Sequence, residues 1–449
     1  MPSADQTRLL EIAESAVRHA RRLGADAADA VIVEALSRSV DVRQGAVEDV
    51  ESAEGRDLGL RVFVGDRQAI VSTNDFTEAT LSALAERAVA MARVVPPDPF
   101  AGLADAAYLA RSFPELDLFD ATVPDNAVLE RLAVEAEEAA LAVNGVTNSG
   151  GASAGYSVSG MALVSSHGFA GSYRRSGYAV SVSAIAGTGT DMQRDYDSTS
   201  AVHFGDLRTP AEIGRSAGER AVARLDPRKV ESRKGPVVFA PRMSRSLIGH
   251  LLGAINGSAI VRGTSFLIDS LGQQVLPTGF TVTDDPLKIR GQRSRPFDGE
   301  GLACTRQELV ADGILTTWIL DTRSARKLGM APTGHASRGI SSPPSPSVTN
   351  VTMAPGRVSR AELIADIDQG LLVTELLGQG ANLVTGDYSR GAAGFWIENG
   401  EIAYPVAEIT IAGNLKDMFR NMSLADDIEY RGGIDTPSIR VEGMTIAGR

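Results

Sequence analysis

The chain has 449 residues, enough for two to four domains and a large buried core. With 43% hydrophobic residues its composition is that of an ordinary globular protein, which excludes wholesale disorder. A net charge of −12 argues against a surface built for nucleic acid or an anionic membrane, since both call for a basic stripe.

The single cysteine, Cys304, rules out a disulfide framework and a Cys-rich metal site. Residues 1–22 are charged throughout and lack the apolar centre of a secretory signal. No stretch reaches the apolar length of a transmembrane helix. A soluble cytoplasmic protein is the expectation.

In chain order, residues 7–23 predict an amphipathic helix, with Leu9, Ile12, Ala13, Ala16, Val17 and Ala20 on one face and His19 on the polar side. Strands follow at 30–35 and 38–43, then at 58–64 and 68–73 around a Gly65-Asp66 turn. A helix over 77–94 completes an N-terminal α+β domain, residues 1–95, built on an antiparallel sheet. Residues 96–124, with several prolines, read as a connector. Residues 125–227 read as a middle α+β domain. It has a helix from Asp125 to about Val143, strands at 156–165, 169–176 and 178–186 in a second antiparallel sheet, and a helix over 210–224. A linker leads to a large strand-rich C-terminal domain, residues 235–449.

That domain opens with a strand, 236–240, and a helix. Pro241 suits the first helical turn, where no N–H is needed. Met243, Leu247, Ile248, Leu251, Leu252 and Ile255 then recur at helical spacing, and Asn256-Gly257 signals the end. Asp312-Gly313 and Asn399-Gly400 predict hairpins. Ser359, three residues before Glu362, predicts a capped helix over 359–367. A further helix is expected over 414–422, and two short strands, 438–441 and 444–447, around Glu442-Gly443.

Few motifs carry chemistry. Gly151-Ala152-Ser153-Ala154-Gly155 fits the pattern of a hydrolase nucleophile elbow, but the residues after it read as strand where the elbow needs a helix. Gly378-Gln379-Gly380 lacks the third glycine and the helix of a dinucleotide fingerprint. The Asp284-Asp285 and Asp426-Asp427 pairs read as solvated turns. Cys304 reads as a buried inert thiol. The helix after Pro241 holds one histidine, His250, and no Asp or Glu. Pairing it with His335 would supply two nitrogens, while a catalytic zinc usually has three protein ligands.

The runs Arg262-Gly263-Thr264-Ser265, Asp321 to Gly329, Pro332-Thr333-Gly334 and Ser347-Val348-Thr349-Asn350 carry a resemblance. So do Gly394 to Ile402, Pro405-Val406 and Ile411-Ala412-Gly413-Asn414-Leu415. Together they resemble the TldD/PmbA family of metallopeptidase-associated proteins, in its PmbA (TldE) branch. In the TldD branch this helix carries an HExxxH zinc motif, in which two His on adjacent turns grip the metal and the Glu handles the water proton. One His and no carboxylate cannot supply it, and no cysteine follows Cys304 near the chain's end. The resemblance therefore implies a non-catalytic subunit with no catalytic, cofactor or metal residue of its own. Zinc would sit in a TldD-like partner, in a heterodimer or with a homodimer as the alternative, and the substrate would be unfolded peptide. His250, Arg262, His335, Asp387, Tyr388 and Trp396 are expected to line a cleft. A self-sufficient peptidase with an unusual site, and a gyrase-modulator-type regulatory protein, are the alternatives.

Overall fold

The computed structural model describes residues 6–448. Its first unit comprises α1 (Gln6–Arg22), β1 (Ala27–Arg43), β2 (Ala46–Val64), β3 (Arg67–Thr73), α2 (Glu78–Val94), α3 (Asn126–Leu141), β4 (Val146–Ser165), β5 (Ala170–Ala186), β6 (Gln193–Ala201) and α4 (Pro210–Ala223). The six strands form one antiparallel sheet in the order β3-β2-β1-β4-β5-β6. Two separate sheets were expected, and this is a correction. β1 is one continuous strand where two were predicted, because its extended pattern runs through Leu36-Ser37 with no turn residue. Its length lets it pair with β2 on one edge and, from Asp29↔Ser165 to Val42↔Ala152, with β4 on the other. The first twelve residues of β2 are exposed and rich in Glu and Asp, so hydrophobic alternation does not mark them as strand.

Alternate residues of a strand face opposite sides. One side of this sheet takes all four helices. Ala30, Ile32, Leu58 and Leu60 meet α1 and α2, and Val40, Ala154, Tyr156 and Val180 meet α3 and α4. Asp125 caps α3 by accepting the Val128 N–H at 2.8 Å. Ser153 lies inside β4, opposite Asp41 and Ser181, so the Gly151 to Gly155 run forms no elbow.

The second unit begins with β7 (Arg233–Phe239), α5 (Pro241–Ala254) and α6 (Gly257–Arg262). It continues with β8 (Val282–Asp284), β9 (Gln307–Ala311), β10 (Ile314–Leu315), α7 (Thr322–Leu328), β11 (Ala336–Ser337), β12 (Ser345–Pro346), β13 (Val351–Met353) and α8 (Arg360–Ile364). It ends with β14 (Gln369–Leu377), β15 (Asp387–Glu398), β16 (Glu401–Asn414), α9 (Leu415–Arg420), β17 (Met422–Leu424), β18 (Ile434–Asp435) and β19 (Ile439–Ala447). One sheet runs β16-β15-β14-β7-β19-β17, and β16 also pairs with β19. That pairing, from Thr410↔Ala447 to Ala412↔Thr445, closes β7, β14, β15, β16 and β19 into a barrel with no free edge inside the ring. A smaller sheet, β10-β9-β8-β13-β18, shares its core with the barrel and α5.

Both Asx-Gly hairpins are present, with positive φ at Asp312 and Gly313 and at Asn399 and Gly400, as a type I′ turn requires. Ser359 and Glu362 form the reciprocal capping box. The two short terminal strands expected around Glu442-Gly443 are one strand, β19, with a register shift between Val441 and Met444. The expected turn is a bulge: the two halves pair on successive stretches of β7 and never fold back on one another.

The two units meet on the helix-free side of the first sheet. Phe113, Phe169, Tyr173 and Phe297 pack there with ring centroids 5.0–5.9 Å apart. Gly59 of β2 lies so close to Ile340 that a Cβ would stand 2.0 Å from its carbonyl oxygen, so only glycine fits. The connector before α3 packs into the same junction through Leu103, Ala104, Leu116 and Leu118.

Candidate functional site

The sequence singles out α5, and the structure shows why it stays helical and buried. Pro241 fills the first turn, and Leu247, Ile248, Leu251 and Leu252 enter the C-terminal core. Asn256 does more than end the helix: it caps α6 through Ser258 N–H and donates to Pro346 O at 2.9 Å. Gly263 then closes α6 in the left-handed conformation.

His250 lies on the half-buried face of α5, its ring edge-on to Tyr388 of β15 at 5.9 Å. Tyr388 is 1% exposed. Arg390 follows two residues later and therefore on the same face of β15. Burial, and then the Arg390 charge, hold the His250 pKa below its ordinary value. Burial pushes Tyr388 up to about 12 against the opposing pull of Arg390. At neutral pH both rings are uncharged, and Arg390 supplies the only charge of the three.

The remaining expected lining residues are dispersed. Trp396 sits on β15 beyond a bulge, buried in the barrel core with Arg233 stacked over its ring at 5.7 Å. Asp387 is exposed at the start of β15 and accepts from Thr385 Oγ1 at 2.6 Å. Arg262 ends α6. His335 is 2% exposed and fully engaged, with Nε2 3.1 Å from Asp284 and Nδ1 2.9 Å from Thr333 Oγ1. The structure thus brings His250 and Tyr388 together and shows no contact between His250 and His335.

Each of the five histidines keeps its own company. His19 meets Glu78, His167 meets Ala104 O, His203 meets Asp117, His335 meets Asp284, and His250 meets Tyr388. Among the described residues no three His, Cys, Asp or Glu side chains gather as metal ligands. Cys304 is 7% exposed, and burial pushes its thiol up to about 12. A thiolate is the reactive form. Folded protein at pH 8 is therefore expected to resist iodoacetamide and to take up one equivalent only on unfolding, as intact mass would show.

Sequence reasoning missed a buried polar cluster at the junction of the two units. Asp29 of β1 stands opposite Arg61 of β2 and 2.6 Å from Arg338, and all three are buried. Glu300 accepts the Thr322 N–H at 2.8 Å beside them. Burial, then the neighbouring Asp298, push Glu300 up to about 7. Arg390 was missed as well. Its only signal was the two-residue spacing from Tyr388 on a strand.

Domain signatures match along most of the chain. That of the PmbA/TldA metallopeptidase C-terminal domain covers residues 232–448, the central domain 118–225 and domain 1 28–92. The metalloprotease PmbA of Escherichia coli O157:H7 is 41% identical over 448 residues, covering 99% of this chain and 97% of that protein.

The chain belongs to the PmbA/TldD family.

A PmbA homologue of Haemophilus influenzae is 39% identical over 99% of this chain and 97% of its own length. Among solved structures, a Bacteroides thetaiotaomicron protein named as a candidate DNA gyrase modulator superposes with TM-score 0.91 at 28% identity, covering 99% of this chain and all of that one. TldE of Thermococcus kodakarensis superposes with TM-score 0.83 over 97% of this chain and 100% of its own, and at 21% identity shows the shared fold. The PmbA/TldD fold is thus the mixed α+β arrangement described above, barrel included.

Proposed function

We propose that this PmbA-family chain is the non-catalytic subunit of a TldD/TldE-type zinc metallopeptidase complex acting on unfolded peptides. The observation that carries the reading is α5: the helix has one histidine and no carboxylate, and that histidine is turned into a contact with Tyr388. A hydrolytic zinc needs about three protein ligands and a base for its water. A TldD-like subunit would supply both. This chain would complete the enclosure around an extended peptide, a substrate that strand-rich units commonly hold through backbone pairing. The charge of −12 lends no support to direct DNA contact.

Untagged protein purified alone is expected to hold less than stoichiometric zinc and to leave unfolded casein uncut. Mixed with a TldD-like protein from the same cell, it should form a heterodimer by light scattering and cut casein. One zinc per isolated chain, lost in His250→Ala, would overturn the reading. So would failure to associate with that partner.

A further inference from the structure

The contact between α5 and β15 leaves polar chemistry unsatisfied. Among the described residues, His250 Nε2, Tyr388 Oη and Arg390 Nε are buried and have no hydrogen-bond partner. Such groups are rare in native proteins, and an unmatched buried donor costs about 1–3 kcal/mol. Here three fall together, on one helix and on alternate positions of one strand. At the junction Arg338 also has nitrogens without a hydrogen-bond partner, but Asp29 lies within ion-pair reach of it and of Arg61, whereas the ion pairs of the described residues include none with Arg390.

Exposure is graded across the three. His250 and Arg390 are half-buried, while Tyr388 is 1% exposed. Arg390 offers a guanidinium and Tyr388 a phenolic O–H, which together match the two oxygens of a carboxylate. We propose that His250, Tyr388 and Arg390 form a receptor for one carboxylate group of a bound peptide.

Charge selects the ligand class. One arginine beside two neutral rings balances a single negative charge, whereas a phosphate dianion would leave a net charge half-buried. In assigning the carboxylate to a peptide, the inference rests on the subunit reading. Peptide backbone pairing reads little sequence, and a carboxylate receptor would fix the register or the end of the chain.

The five histidines make the test direct, because their imidazole resonances are few and His250→Gln identifies one. The isolated chain would be titrated with three short peptides: one with a free C-terminus and no acidic side chain, its C-terminal amide, and an amide carrying one Asp. Sodium chloride at equal ionic strength is the control. A saturable shift of the His250 resonance with the first peptide alone assigns the receptor to chain ends, and with the first and third assigns it to carboxylates generally. Arg390→Gln should weaken that binding roughly tenfold or more. Tyr388→Phe keeps the ring and should weaken it several-fold without lowering thermal stability, since it deletes an unpartnered hydroxyl. No saturable shift with any peptide, an equal shift with chloride, or an unchanged affinity in Arg390→Gln overturns the proposal. None of these outcomes depends on zinc or a TldD-like protein, so failure here leaves the subunit reading standing.

Discussion

Asp29→Ala is expected to lower stability by about 3–5 kcal/mol, a large share of the ~5–15 kcal/mol that holds a typical domain folded. The carboxylate is 1% exposed and lies between two guanidiniums. Arg61 Nε stands 3.1 Å from one oxygen and 3.2 Å from the other, and Arg338 reaches it at 2.6 Å. Burial alone would raise the Asp29 pKa, but Arg338 and then Arg61 outweigh it and hold the carboxyl below its ordinary value. Removing it leaves two buried guanidiniums facing each other, with Glu300 and Asp321 as the other carboxyls acting on Arg61. Asp29→Asn keeps the volume and loses the charge, and should be nearly as severe. Adding Arg61→Met and Arg338→Met should restore much of the loss, because it removes the stranded charges. Urea unfolding followed by Trp318 and Trp396 fluorescence measures all three. A loss below about 1 kcal/mol in Asp29→Ala would mean that the ion triad does not hold the units together.

What the sequence revealed follows from which interactions are local. Caps and hairpins at Asp125, Ser359, Asp312-Gly313 and Asn399-Gly400 were legible because one short segment dictates each. The same logic made α5 legible, including the two donors it lacks. Pairing between distant segments was hidden. β1 meets β4 more than a hundred residues later, so one sheet was read as two. Barrel closure by β16 and β19 has no signature in either strand alone. Polar clusters were hidden for the same reason. Asp29, Arg61 and Arg338 come from three separate stretches, and each reads singly as a surface charge. His250 and Tyr388 were each expected to line a cleft, and only the fold shows that they touch. His335 was weighed as a second nitrogen beside His250 and expected to line a cleft, yet Asp284 and Thr333 already occupy both of its nitrogens.

The second large effect should come from Glu300→Gln and should depend on pH. Burial and the neighbouring Asp298 raise the Glu300 pKa to about 7 from an ordinary 4.5, so the folded chain binds a proton more tightly there than the unfolded chain does. Below pH 4.5 the group is protonated in both states and contributes no slope. Between 4.5 and about 7 the unfolded chain releases the proton first, and stability falls as pH rises. Above 7 the loss levels off, at roughly 3–3.5 kcal/mol for this group. Glutamine cannot ionise and keeps an oxygen for the Thr322 N–H, which the carboxylate accepts at 2.8 Å. The variant should therefore match the native chain near pH 4.5 and exceed it at pH 8, with urea midpoints measured at half-unit steps. Asp29 contributes the opposite slope, because its depressed pKa makes stability fall as pH drops below the ordinary carboxylate range. The native profile should therefore pass through a maximum on the acid side of neutrality, and Glu300→Gln should flatten only its alkaline limb. Destabilisation by Glu300→Gln that grows as pH rises above about 4.5 would overturn this, showing that Glu300 ionises more readily in the folded chain and serves Arg61 and Arg338 as a second counter-ion.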